Sequence, residues 1–201
     1  TLQRTARLLA RRGGRRKPGA AALPPLLFFT DPQRTPDPAA IARRLPRGSA
    51  VVFRHFGAAD AEHQARALKT IARERGLRLL IGADAALAAR IGADGVHLPQ
   101  RLAHRALALK RARPPWLITS AAHSLRTARG SHADAVVVSA ALPSNSPSAG
   151  PALGPVRLAA LARACPRPVY GLGGINDETA RRLLDAGLVG VAAVEGLVAR
   201  T

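Results

Sequence analysis

The stretch PVYGLGGIN (168–176), with its continuation through NDETARRLLDAG (176–187) to AGLVGVAAVEG (186–196), decides the fold. An apolar run ends in paired glycines, a helix-like segment follows, and a second apolar run closes the unit. Runs that are apolar throughout, instead of alternating, belong to strands covered on both faces, as in parallel sheets. In a (β/α)8 barrel the loops after strands seven and eight commonly hold phosphate. Glycine lets the backbone approach the anion, and a helix N-terminus offers unpaired N–H donors. The unit therefore predicts a barrel that binds a phosphorylated small molecule, with Gly173, Gly174, Val194 and Glu195 at the phosphate.

Six further apolar runs precede this unit: LLFFT (26–30), AVVFRHF (50–56), RLLIGA (78–83), GVHL (95–98), WLITSAA (116–122) and AVVVSA (135–140). Helical patterns lie between them, with Asp60, Ser124 and Asn176 where helices start and Gly76 and Gly187 where they stop. Strands alternating with helices predict a single α/β domain, a (β/α)8 TIM barrel, with a doubly wound open sheet as the alternative topology. Ahead of the first strand, TLQRTARLLARR (1–12) places Leu2, Ala6 and Leu9 at helical spacing, and GGRRKPGAAALPP (13–25) interrupts it. The expected organisation is a basic N-terminal helical extension over 1–22 and a barrel over 23–201, with a short final helix at LVART (197–201). The extension is expected to cover the side or base of the barrel.

Composition narrows the function. A length of 201 residues suits one domain. Apolar residues make up 47% and aromatic ones 3%, so the core is built of Leu, Val, Ala and Ile. The single cysteine, Cys165, excludes an intramolecular disulfide and reads as a packed small residue. No run is long enough to span a bilayer, and the basic N-terminus lacks an apolar signal region, so the expected location is cytoplasmic. The net charge is +19, with seven positive residues among the first nineteen, from Arg4 to Lys17. Lysine occurs only at 17, 69 and 110, so the charge reflects heavy use of Arg beside Ala, the signature of GC-rich coding. Stacking aromatics are scarce, and neither a helix-turn-helix nor zinc spacing occurs, so no specific nucleic-acid partner and no membrane partner is expected. A positive surface does attract small anions.

Barrel active sites lie at the C-terminal ends of the strands. The polar residues there are Thr30, Asp31, Arg54, His55, Asp84, His97, Gln100, Ser120, His123, Ser139, Asn176 and Glu195, with Ser144, Ser146 and Ser148 in the Ser/Pro loop. His97 reads as a packed strand residue, His55 as a rim residue, and Asp31, before Pro32, as a turn residue. Arg54 reads as an anion ligand or as one half of a rim ion pair. The serine loop either closes over a ligand or is simply solvated.

GADGVHLPQ (92–100), AAHSL (121–125), HADAVVVSAALPSNSPSAGPALG (132–154), PVYGLGGI and AGLVGVAAV occur here in an order and spacing that resemble the thiamine-phosphate synthase/TenI family. The resemblance spans about residues 26–197 and implies a (β/α)8 barrel acting on thiazole phosphates. Family synthases join a pyrimidine diphosphate to a thiazole phosphate with Mg²⁺, which neutralises the leaving diphosphate. Where they place Asn-Asp after strand 3, this chain has Gly82 and Ala83. Where they place an acid after the strand-4 Gln, it has Arg101. Of their strand-2 Q-x-R-x-K motif, which falls on Val52, Arg54 and Phe56, only the arginine remains, and their strand-6-loop lysine falls near Pro147. Asp84 stands one position beyond the missing pair.

His123, by contrast, matches the acid/base histidine of TenI-type thiazole tautomerases, and Pro99 also resembles the TenI type. A histidine can remove and return a proton near neutral pH without a metal. The resemblance thus implies a metal-free tautomerase with no cofactor. His123 is its catalytic residue, and Arg54, Ser120, Ser144, Ser146, Gly173, Gly174, Val194 and Glu195 form its phosphate and substrate site. The alternatives are an Mg²⁺-dependent thiamine-phosphate synthase and a non-catalytic binder of a related phosphate. The expected partners are thiazole phosphate or thiamine phosphate, and a second copy of the chain in a homodimer.

Overall fold

The computed structural model describes residues 1–13, 17, 19–144, 146 and 150–197. Eight parallel strands close into a barrel in chain order. They are β1 (Leu26–Phe29), β2 (Ala50–Phe53), β3 (Arg78–Gly82), β4 (Gly95–Leu98), β5 (Leu117–Ala122), β6 (Ala135–Val138), β7 (Val169–Leu172) and β8 (Gly190–Ala193). Pairing of Leu27 with Ala192 joins the first strand to the last, so no sheet edge remains and the open-sheet alternative is excluded.

Strand residues alternate between two packed sets. Leu27, Phe29, Ala50, Val52, Leu80, Leu117, Val137, Tyr170 and Ala192 fill the barrel interior. Phe28, Val51, Ile81, Val96, Ile118, Val136 and Val191 face the helices. Both faces are buried, which is why the runs read as apolar throughout. The Tyr170 hydroxyl, sealed inside, donates to the Pro24 carbonyl at 2.7 Å.

The outer layer comprises α2 (Pro38–Arg44), α3 (Ala61–Arg75), α4 (Ala85–Arg90), α5 (Ala106–Ala112), α6 (Leu125–Arg129) and α7 (Gly154–Ala164). Local chemistry sets several of the boundaries. Ser124 caps α6 in a capping box with Thr127, and Gly76 ends α3 at φ 65°. Asp60 stands at the start of α3 but makes no cap bond; its carboxylate instead takes the Gln64 side-chain amide. The 176–187 pattern is not an α-helix. Asn176 accepts from the Glu178 and Thr179 amides, and a 3-10 turn, Thr179–Leu183, follows.

The N-terminal helix α1 (Leu2–Gly13) lies against β8, β1 and this 3-10 turn. Leu2, Ala6 and Leu9 are all buried, as their spacing predicts, and are continuous with the helix-facing core. A Cβ on Gly13 would overlap the Leu188 carbonyl, so glycine allows the close approach there. The Leu2 amide donates to Asp177 at 2.6 Å, and Arg12 pairs with Asp185 at 2.7 Å. The helix thus covers the side of the barrel. Lys17 donates to the carbonyls of Ala162, Cys165 and Arg167, satisfying the C-terminal end of α7, and Cys165 is buried as expected. Beyond a 3-10 turn at Glu195–Leu197, the expected short final helix lies outside the described residues. No described helix is long and apolar enough to cross a membrane.

Candidate active site

The inward alternation of the strands carries Phe29, Arg54, His97, His123, Ser139, Leu172 and Val194 toward the C-terminal mouth of the barrel. His97, buried at the floor, bonds through Nδ1 to Thr119 Oγ1 at 2.9 Å and meets the Phe29 ring edge-on, with centroids 4.8 Å apart. Burial, and then the positive charge of Arg54, push its pKa down from 6.5 to about 3, so the ring is neutral.

Arg54 stands above. Its Nε donates to the Thr30 carbonyl at 2.7 Å, and one terminal nitrogen lies 3.4 Å from Asp31 Oδ2. The guanidinium is flanked by the rings of Phe29 and Phe56, at 5.6 and 5.3 Å from their centroids. Burial holds its pKa below the usual arginine value, with Asp31 opposing and Arg34 reinforcing that effect. Of the two readings of this residue, the structure shows the rim ion pair. Phe56 adopts φ 48° and Ala83 φ 64°, left-handed conformations uncommon for side-chain-bearing residues, at the ends of β2 and β3 around this cation.

Asp31 organises the β1 loop. Its Oδ1 accepts from the Gln33 and Arg34 amides, as a turn residue does, and its Oδ2 takes the Arg34 guanidinium at 2.8 Å. That hydrogen bond is the main cause of its lowered pKa. Arg34 then reaches across to Glu195, with Nε 3.6 Å from Oε1. Arg34 was not among the residues expected at the site. Its only signal in sequence is its place three residues after Asp31 in a turn.

His123 follows β5 at the exposed mouth. Its amide donates to Gln100 Oε1 at 3.0 Å, and its Nδ1 lies 3.0 Å from the Ser139 carbonyl and 3.2 Å from the Ser139 hydroxyl. A carbonyl can only accept, so Nδ1 carries the hydrogen and Nε2 of the neutral ring keeps its lone pair. Gln100 and Ser139, from the loops on either side, therefore set both the turn and the tautomer.

The β7 turn is built on Gly173 (φ 102°) and Gly174 (φ 64°). A Cβ on Gly174 would overlap the Pro143 carbonyl, so the β6 loop can lie against this turn only because the residue is glycine. The Gly173 carbonyl accepts from Leu142 at 3.1 Å, and the Gly174 carbonyl from the Thr179 hydroxyl at 2.7 Å. In a trans peptide, C=O and N–H point in opposite directions. The Gly174 and Ile175 amides are therefore directed away from those partners. Gly196 packs onto the Ile175 carbonyl, which brings Glu195 beside the turn.

Other expected residues fall elsewhere. Ser120 is not at the site. It lies on the helix-facing side of β5, fully buried and bonded to Ser131 Oγ at 2.7 Å, because strand alternation turns it away from the mouth. Ser144 accepts from the Ser146 amide at 3.3 Å within the β6 loop, while Ser148 and Pro147 lie outside the described residues. Val194 packs on the interior core. His55 sits at the rim, 3.6 Å from Asp84 Oδ2. Asp84 is the cap of α4, accepting from Leu87 N at 2.8 Å.

With Gly82, Ala83 and Arg101 at the remaining rim positions, this donor set does not fit a divalent cation. No cluster of three or more His, Cys, Asp or Glu that could hold a metal occurs among the described residues.

A closed parallel eight-stranded barrel, with polar groups gathered where the strands end, defines the (β/α)8-barrel class, whose active sites lie at that end. Residues 26–197 match the family described as thiamine monophosphate synthase (TMP-TENI), and the chain belongs to that family of thiamine-biosynthesis enzymes. A thiamine-phosphate synthase of Alcanivorax borkumensis is 30% identical over 88% of this chain and 86% of its own length. One of Azorhizobium caulinodans is 34% identical over 71% of this chain and 69% of its own. The barrel superimposes on a thiamine phosphate pyrophosphorylase from Pyrococcus furiosus with a TM-score of 0.71 at 22% identity, covering 88% of this chain and 89% of the other.

Proposed function

We propose that this chain is a metal-free thiazole-phosphate tautomerase. The observation that carries the reading is the fixed imidazole of His123, whose Nδ1 is committed to the Ser139 carbonyl. Its Nε2 lone pair is free to take a proton from a ring carbon and, as the imidazolium, to return it elsewhere on the same molecule. Such an isomerisation conserves every atom and needs no leaving group to be neutralised. The phosphate lies against the Gly174 and Ile175 amides, with Arg54 supplying positive charge across the mouth. The altered residues at the β3/β4 rim support the same reading, since they have given up the donors a diphosphate–metal pair requires.

The names of the relatives favour a second reading, a thiamine-phosphate synthase. One experiment separates the two. The purified chain is assayed for isomerisation of the thiazole phosphate and, separately, for thiamine phosphate formation with and without Mg²⁺. The expected result is isomerisation unaffected by chelator and lowered about 10² to 10⁴-fold in His123→Asn, with ligand affinity changed only a few-fold. Mg²⁺-dependent thiamine phosphate formation, with no isomerisation, overturns the proposal in favour of the synthase. An unchanged isomerisation rate in His123→Asn removes that residue from the mechanism.

A further inference from the structure

At the opposite end of the barrel, where the strands begin, lies a cleft of about 350 Å³ whose lining includes Arg78, Lys110, Trp116, Leu117, Asp134 and Arg167. Its charges do not cancel. Asp134, the one carboxylate in the lining, already accepts from Lys110 Nζ at 3.0 Å and from the Ile118 amide at 2.8 Å. Lys110 is further held by the Trp116 carbonyl at 2.7 Å. Arg167 spends only its Nε, on the Ser131 carbonyl at 3.3 Å. Among the described residues, its terminal nitrogens and the whole Arg78 guanidinium have no hydrogen-bond or carboxylate partner.

Arg78 is also unusual in position. It shares the alternation of Leu80 and so stands on the inner side of β3, a place that barrels usually fill with branched apolar side chains. Its charge reaches the buried Tyr170 phenol. Two guanidiniums with free N–H groups suit a tetrahedral oxyanion, and the excess of two positive charges in the lining matches a phosphate monoester dianion. The Trp116 and Leu117 side of the cleft offers an apolar wall.

We propose that this basal cleft is a second ligand site, separate from the mouth, which takes a small phosphorylated molecule with its phosphate on Arg78 and Arg167 and its apolar part against Trp116. The site does not depend on the tautomerase reading, and its test does not measure turnover. Trp116 is the only tryptophan in the chain, so intrinsic fluorescence reports on this cleft.

The full chain is titrated with inorganic phosphate and with phenyl phosphate at constant ionic strength. A saturable change in emission is expected, at lower concentration for phenyl phosphate. Arg78→Gln and Arg167→Gln should each weaken it at least tenfold, whereas Arg54→Gln, at the mouth, should leave the curve in place. Circular dichroism establishes that the variants are folded. If either variant is unfolded, the other variant and the wild-type curve against a chloride control decide the matter. No saturable change, a curve that chloride reproduces, or wild-type affinity in the folded Arg78→Gln and Arg167→Gln variants overturns the proposal.

Discussion

Glu195 stands beside the glycine turn, where a lone carboxylate would repel a phosphate. Arg34 offsets this, since its guanidinium reaches both Asp31 and Glu195, and with Arg54 also on Asp31 two positive charges face the two carboxylates. The pair makes a signed prediction. Glu195→Gln should tighten the binding of inorganic phosphate or thiazole phosphate several-fold, because it removes a negative charge and frees Arg34. Arg34→Gln should weaken binding by about tenfold, roughly 1.4 kcal/mol, since Glu195 then faces the ligand unpaired. Isothermal titration of the two variants checks both signs, and a weaker Glu195→Gln complex would mean that Glu195 does not face the ligand. Sequence alone exposed the difficulty at Glu195 but not its remedy, because Arg34 meets Glu195 only where the loops after the first and last strands come together.

Among the elements, α1 is the one whose contribution to the fold can be isolated. Its buried stripe of Leu2, Ala6 and Leu9 packs on β8 and β1, and the stripe is continuous with the main core. Leu9 is completely buried, so Leu9→Ala should cost about 2–5 kcal/mol through lost transfer energy and a residual cavity. Exposed Leu8, outside that stripe, should tolerate alanine with a change within about 0.5 kcal/mol. Urea unfolding of the two variants checks the contrast, and equal midpoints would show that α1 does not take part in the cooperative unit. The 3.6-residue spacing made this helix legible in the sequence, and it was legible that the helix would cover some part of the barrel. Which part it covers could be known only from the barrel surface itself. In the segment 176–187 the Asn176 side chain accepts from the Glu178 and Thr179 amides as a helix cap does, so the start of the element was legible, but only a 3-10 turn, Thr179–Leu183, follows.

For the molecule as a whole, the buried His97 ties stability to pH. Its pKa falls from 6.5 in the unfolded chain to about 3 in the barrel, so between those values the unfolded state binds the extra proton. Stability should therefore be complete above pH 6.5 and decline by about 1.4 kcal/mol per pH unit as the pH falls from there toward 3. Asp31 acts in the same direction at the acid end. Its pKa is lowered from 3.8, chiefly by the Arg34 hydrogen bond, so its stabilising contribution is present above 3.8 and is lost as the pH falls through the lowered value. Unfolding free energies measured between pH 7 and pH 4 test this, and His97→Gln should flatten the slope. A slope that persists in the variant would place the titrating group elsewhere. By itself, the sequence determined a parallel sheet of apolar strands alternating with helices, because doubly apolar strand runs, glycine punctuation and helical patterns are local properties that a sheet covered on both faces imposes on every strand, whereas closure of that sheet was decided by the pairing of β1 with β8. It also determined that His123, Arg54 and the glycine turn lie at one end, since residues following parallel strands share a mouth. Only the tertiary structure decided which of the candidates face that mouth. Ser120 was lost to the helix layer by a single step of alternation, and Arg34 entered because contacts between loops distant in sequence depend on how the barrel closes.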